Sequence, residues 1–187
     1  MRNPRKDGEL RQRSAGALAA SWDLDELCAL LVKRHHAQLN RLAASIRRQL
    51  LELAGADSGP SLQEARAIFD GIVDQWRAHL AKEENILFPA LGALARARRE
   101  HLGRPALPFP TVLHPIRVME GEHDRVVQLL VRLGAVAEGM NPPAESRTRW
   151  RRCAGELAGF DAALRAHMRF EDDVLFPRAL ELERHLP

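Results

Sequence analysis

Tyrosine is absent from this chain, and aromatic residues together make up only 5% of it. β-Branched residues are also few, whereas Ala, Leu, Arg and Glu abound, and that balance favours helices over sheets. Cysteine occurs twice, at Cys28 and Cys153, without CxxC spacing, which excludes a disulfide framework and a thiolate zinc knuckle and fits a reducing cytoplasm. Long apolar runs are missing as well. After Arg2, Arg5, Lys6, Arg11 and Arg13 the stretch AGALAA is too short for a secretory core or a membrane span, so a soluble, unexported, cytoplasmic protein is expected. The net charge of +3 is spread among acids on helix surfaces, with a basic bias only at the N-terminus, so neither nucleic acid nor a membrane is expected as partner. A length of 187 residues suits one domain, read as a basic arm over 1–21 and a helical bundle over 22–187.

The apolar periodicity gives four helices. The first begins at a capping box of Asp23 and Glu26, carries Leu27, Leu31, His35, Leu42, Ile46 and Leu53 on one face, and stops at Gly55. Ser61 and Glu64 form a second box opening a helix with Ile68, Ile72, Trp76, His79, Glu83 and Ile86 inward; Pro89 interrupts it, and a further stretch runs to about Leu102. The third, with Pro115 in its first turn, carries Ile116, Met119, His123, Val126 and Leu130 and ends near Gly139. The fourth runs from about Ala144 to Phe176, with Phe160, Leu164, His167, Glu171 and Val174 facing in and Pro177 near its end. The expected fold is an all-α, up-down-up-down four-helix bundle.

A repeat carries the chemistry. HLAKEENILFPAL begins at His79 and HMRFEDDVLFPRAL at His167, so H-x-x-x-E followed by LFP occurs twice, 88 residues apart. Subtracting the same 88 from His123 gives His35, and each lone histidine precedes its His/Glu pair by 44 residues. The six groups form two triplets on two helix hairpins, an internal two-fold repeat. Residues i and i+4 lie about 6 Å apart along a helix on one face, so each His/Glu pair converges on a common point. Each group also interrupts an apolar stripe, where an unpaired carboxylate costs several kcal/mol and a cation removes the cost. Imidazole and carboxylate without thiolate suit iron, with manganese as the alternative ion. The expected metal ligands are His35, His79, Glu83, His123, His167 and Glu171. They would hold two non-haem iron ions bridged by the glutamates and an oxo or hydroxo group. Room remains for a small exogenous ligand in the open coordination.

The other histidines read differently. His36 shares its helix position with Val32, Asn40 and Arg47 and is expected to face solvent or the bundle edge. His114 reads as a helix-entry residue, and His101 and His185 as solvated ends. Met119 is expected to pack over the site, and Glu122 to sit at the mouth of a ligand channel or to be a surface charge. The LFP tripeptides read as core plugs and helix stops.

HHAQL, HLAKEENILFP, HPIRVMEGEHD and HMRFEDDVLFPRA together resemble the hemerythrin-like (HHE cation-binding) family over nearly all of residues 22 to 182. Within it the chain is most similar to the repair-of-iron-centres di-iron proteins, which use four histidines and two bridging glutamates. The resemblance carries to His35, His79, Glu83, His123, His167 and Glu171. It implies iron-sulfur cluster repair or a nitric oxide and oxidative stress response, with iron-sulfur proteins as partners. A di-iron nitric oxide reductase-like or peroxidase-like activity is a further implication, and a sensing or binding module for oxygen, nitric oxide or iron without turnover is the alternative. Two departures stand out: the paired-cysteine motif with which many repair proteins begin does not occur in this sequence, and Gln75, one turn before His79, stands where the branch often has an acid.

Overall fold

The computed structural model describes residues 22–56 and 59–187, so the basic arm expected over 1–21 lies outside the described residues. Every regular element among the described residues is helical, and together they make four long helices. Helix α1 comprises an α-helical segment Leu24–Leu30, a π-helical turn Leu31–His36 and a second α-helical segment Ala37–Ala56. Helix α2 is built alike, from Pro60–Lys82, a π turn Glu83–Leu87 and Phe88–Arg99. Helix α3, Leu113–Glu138, is α-helical throughout. Helix α4 comprises Arg147–Phe170, a π turn Glu171–Leu175 and Phe176–His185. The helices pack as a bundle, α1 against α4 and α2, and α2 against α3. None of the described helices is long and apolar enough to cross a membrane.

Local chemistry sets the ends. The Asp23 and Glu26 box forms as expected, with the Asp23 N–H donating to Glu26 Oε2 at 2.8 Å, and Gly139 caps α3. Helix α2 starts earlier than the Ser61 box implies, because Pro60 fits the first helical position after Gly59. It ends when His101 adopts φ 54°, and the Leu102 N–H then reaches back to the Ala97 carbonyl at 2.8 Å, satisfying a carbonyl that the last turn leaves open. Helix α4 begins at Arg147 rather than near Ala144 and runs on to His185 instead of stopping at Phe176.

Neither proline stops its helix. Pro89 and Pro177 have no N–H to give the ladder, and their rings would strike the carbonyl four residues back. The π turn immediately before each one solves both problems: the Phe88 N–H bonds the Glu83 carbonyl and the Phe176 N–H the Glu171 carbonyl, five residues back. The wider turn also moves the inward stripe on by one residue. Ile86, expected inside, is 46% exposed while Leu87 is 1% exposed. Likewise Leu175 is buried and Val174 only half-buried. The α1 π turn has the same effect: after Leu27 and Leu31 the buried positions are His36, Leu39 and Ala43. His36, expected to face solvent, is 2% exposed, and His35 is the half-buried neighbour. On α3, which has no π turn, all five expected inward residues are buried.

Two apolar layers result. One gathers Leu39, Ile46, Phe69, Trp76, Val126 and Phe160 with their neighbours, and the other Leu27, Leu31, Leu91, Ile116, Leu175 and Phe176. His36, His79, Glu83, His123, His167 and Glu171 are all buried and belong to neither apolar layer.

The segment before α3 is tied down by Glu183 near the end of α4. Its buried carboxylate accepts from the Arg104 guanidinium, from the Thr111 hydroxyl at 2.5 Å and from the Val112 N–H at 3.1 Å. Replacing Glu183 by alanine leaves the Val112 N–H unpaired in a buried setting, and is expected to cost about 2–3 kcal/mol. Urea unfolding measures this directly; a loss under about 0.5 kcal/mol, typical of a plain surface site, would contradict the role.

Candidate metal centre

The core of the centre is Glu83 and Glu171, each 0% exposed. All four of their carboxylate oxygens lack a properly oriented hydrogen-bond partner, as do His36 Nε2 and both ring nitrogens of His167. Buried polar atoms are normally satisfied, and a buried carboxylate without a partner costs several kcal/mol. Here the unsatisfied atoms converge. One ligand atom from each of His79, Glu83, His167 and Glu171 lies within 4.8 Å of the others. His79 Nε2 is 2.9 Å from Glu83 Oε1, and His36 Nε2 is 3.2 Å from Glu83 Oε2, so the two oxygens of one carboxylate face two different imidazoles. Glu171 Oε2 is 3.2 Å from both His123 Nε2 and His167 Nε2. His79 and His123 bring their Nε2 atoms to 3.4 Å, and the rings of His36 and His167 lie 5.2 Å apart. Such a set of converging lone pairs fits a metal ion.

Five of the six expected ligands meet here with His36 as the sixth imidazole or carboxylate group, while His35 lies beside them, its ring 5.8 Å from His167 and 5.9 Å from Phe170. Burial, then the neighbouring charges of His167 and His36, push the His35 pKa down to about 4, so its ring is neutral near pH 7.

Behind the imidazoles stand carboxylates that the sequence reading did not place there. His36 Nδ1 bonds Glu84 at 2.7 Å, His79 Nδ1 bonds Glu122 at 3.0 Å, and His123 Nδ1 bonds Asp172 at 3.1 Å. A carboxylate there fixes the tautomer, leaving the Nε2 lone pair to point inward, and raises its basicity. The legible signal was adjacency: Glu84 and Asp172 directly follow the two buried glutamates of the repeat. Glu122, expected at a channel mouth or on the open surface, is partly buried and also holds Lys82. It does line a small cavity of about 260 Å³ with Gln75, Ala78, Arg125 and Val126. Aromatic rings wall the centre: Trp76 stacks on His79 and meets His167 edge-on, both at 4.8 Å. The phenylalanines of the LFP tripeptides stack on the lone histidines, Phe88 on His36 at 5.9 Å and Phe176 on His123 at 6.2 Å.

Without a cation, protons balance the charge. Burial opposes ionisation of His79 and His167, but the adjoining carboxylates outweigh it and push them up to about 10 and about 9. Burial presses both carboxyls toward neutrality, and for Glu83 the charge of Glu171 adds to it, yet the histidines hold Glu83 below and Glu171 well below the usual range. Cys28 is not among the converging groups, and in the metal-free protein burial, then the charges of Glu171 and Glu83, push its thiol up, so it stays protonated.

A pH dependence follows from the raised histidines. Against an unfolded value of ~6.5, they stabilise the metal-free protein fully below that pH, and the contribution is lost as pH rises through the folded values. Thermal melts of metal-free protein should therefore fall between pH 7 and pH 10, through the values of about 9 for His167 and about 10 for His79, while metal uptake strengthens over that interval because fewer protons must leave. Metal-free melts that stay level over this range would contradict the proton-filled centre.

Comparison with known proteins agrees with this geometry. The chain is 33% identical over 150 residues to the iron-sulfur cluster repair protein YtfE of Musicola paradisiaca (strain Ech703), covering 80% of this chain and 61% of that protein. It is 30% identical over 164 residues to the protein of the same name from Edwardsiella ictaluri (strain 93-146), covering 84% and 66%. The match to that of Salmonella newport (strain SL254) is 29% over 157 residues, covering 84% and 64%. The chain thus spans about three fifths to two thirds of the length of these relatives. The pattern of the Hemerythrin HHE cation binding domain matches residues 30–179, which contain the whole centre, and the chain belongs to the hemerythrin HHE cation-binding domain family.

Proposed function

We propose that this protein holds two non-haem iron ions and serves in iron-sulfur cluster repair or in the response to nitric oxide and oxidative stress. The observation that carries this reading is the pair of buried glutamates whose four oxygens have no proper hydrogen-bond partner and are ringed by four imidazoles. His79 and His123, whose Nε2 atoms lie 3.4 Å apart, would hold one ion and His36 and His167, with rings 5.2 Å apart, the other, and Glu83 and Glu171 would be shared between them. Carboxylate-bridged ion pairs in helical bundles are built from such residues, and no thiolate is at hand to favour zinc. When bound, the ions supply redox equivalents and open coordination for a small ligand such as nitric oxide, oxygen or peroxide. The chain's own residues orient the imidazoles through Glu84, Glu122 and Asp172 and exclude water with Trp76, Phe88 and Phe176.

The up-down-up-down hairpin repeat belongs to the same proposal, with the bundle over 22–187 as one domain in the cytoplasm. It is supported by the π turns at Glu83 and Glu171, by the paired Phe88 and Phe176, and by the paired Glu84 and Asp172, each pair 88 residues apart. His36 and His123 are 87 apart, and the π turn in α1 accounts for the extra residue ahead of His36.

The names of the relatives point to repair. Iron-loaded protein should restore activity to a cluster dehydratase damaged by nitric oxide faster than metal-free protein does. Equal recovery with the two, alongside reversible binding of oxygen or nitric oxide by the loaded form, would replace repair by the sensing or carrying alternative.

A further inference from the structure

The supports behind the four imidazoles are unequal. His36, His79 and His123 each have a carboxylate on Nδ1, at 2.7, 3.0 and 3.1 Å. His167 has none among the described residues: its Nδ1 is buried and without a hydrogen-bond partner. The reason lies in one residue. Glu122, immediately before His123 on α3, supports His79 across the bundle. The residue immediately before His36 on α1 is His35, and its ring lies 5.8 Å from that of His167. An imidazole therefore stands where the other half of the centre has a carboxylate.

We infer that the two ions are held unequally, the ion on His36 and His167 being the exchangeable one and the ion on His79 and His123 the resident one. This inference rests on the di-iron reading above. The outer carboxylates set the difference: both histidines of the resident ion are backed by one, Glu122 and Asp172. The exchangeable ion has only Glu84 behind it, 43% exposed and screened by water much as Asp172 is at 41%; what it lacks is a shielded partner like Glu122, which is 15% exposed. An outer carboxylate raises the donor strength of its imidazole and locks the ring; without it the ring donates less and turns more freely. His35 and Glu122 are thus positioning residues that act through His167 and His79. In a protein that gives up iron, one ion would leave while the other keeps the bundle's centre filled.

The test loads the full chain with ⁵⁷Fe, measures iron content, and then challenges it with excess ferrous chelator, following release by absorbance and the remaining iron by Mössbauer spectroscopy. The inference predicts two phases of equal amplitude, and a half-depleted protein that has lost one of two quadrupole doublets. His35→Glu should slow the fast phase by about tenfold and leave the slow one alone, while Glu122→Gln should quicken the slow phase by about tenfold, the lower end of what such outer partners contribute. General damage to the fold cannot slow release, so the two variants guard each other. Release in one phase with indistinguishable doublets, or a His35→Glu variant that leaves the fast phase unchanged, would overturn the inference. Failure of the parent protein to load two irons, seen before any chelator is added, would overturn the di-iron reading itself.

Discussion

Replacing His36 by alanine is expected to remove the iron of the centre's α1 side, whereas His35→Ala should keep the full complement. The expectation reverses the reading from spacing alone. His36 Nε2 is 3.2 Å from Glu83 Oε2 and its Nδ1 is anchored on Glu84, while no polar contact joins the half-buried His35 to either buried glutamate. Loss of an imidazole ligand and its outer partner together should lower affinity for that ion by about 100-fold or more. Iron per chain after gel filtration decides between them: an intact His36→Ala centre or an emptied His35→Ala centre would refute the register set by the π turn.

Glu171→Ala should have a still larger effect on loading. Its carboxylate faces His123 and His167 at 3.2 Å and lies 3.9 Å from His79, so its removal takes contacts from both ions at once. In the metal-free protein the same change strips the counter-charge from two histidines pushed up partly by that carboxylate. Breaking a buried charge pair from one side costs about 3–5 kcal/mol, unless the stranded histidines give up their protons. The variant should therefore bind less than half the parent's iron, and its metal-free melt should fall less between pH 7 and pH 10 than the parent's does. A Glu171→Ala protein that loads like the parent would show that the carboxylate is not a ligand.

How much was legible in the sequence depended on helix type. On α3 the period of an uninterrupted α-helix placed all five named residues correctly, His123 included, and missed only Leu133 in the last turns. The repeat in α2 and α4 likewise identified His79, Glu83, His167 and Glu171, all of them buried together. Beyond those glutamates the period failed by one residue, at Ile86 and Val174, because a π turn absorbs an extra residue. Those two turns had a signal: a proline two residues after the turn that a continuing helix must accommodate. The turn at Leu31–His36 has no proline in it, and nothing in the local sequence separates His35 from His36. The neighbour needed to choose, Glu83, comes from another helix. Glu84 and Asp172 escaped assignment, and Glu122 was not seen as the support of His79, for the same reason, since their partners lie 43 to 49 residues away in the chain.

The central claim is an iron pair between these helices, and iron content with an absorption spectrum on protein purified from iron-replete cells tests it most directly. The account predicts about two irons per chain and the near-ultraviolet absorption of a bridged ferric pair. A colourless protein that takes up no iron, even after anaerobic reconstitution with ferrous ion, would contradict it.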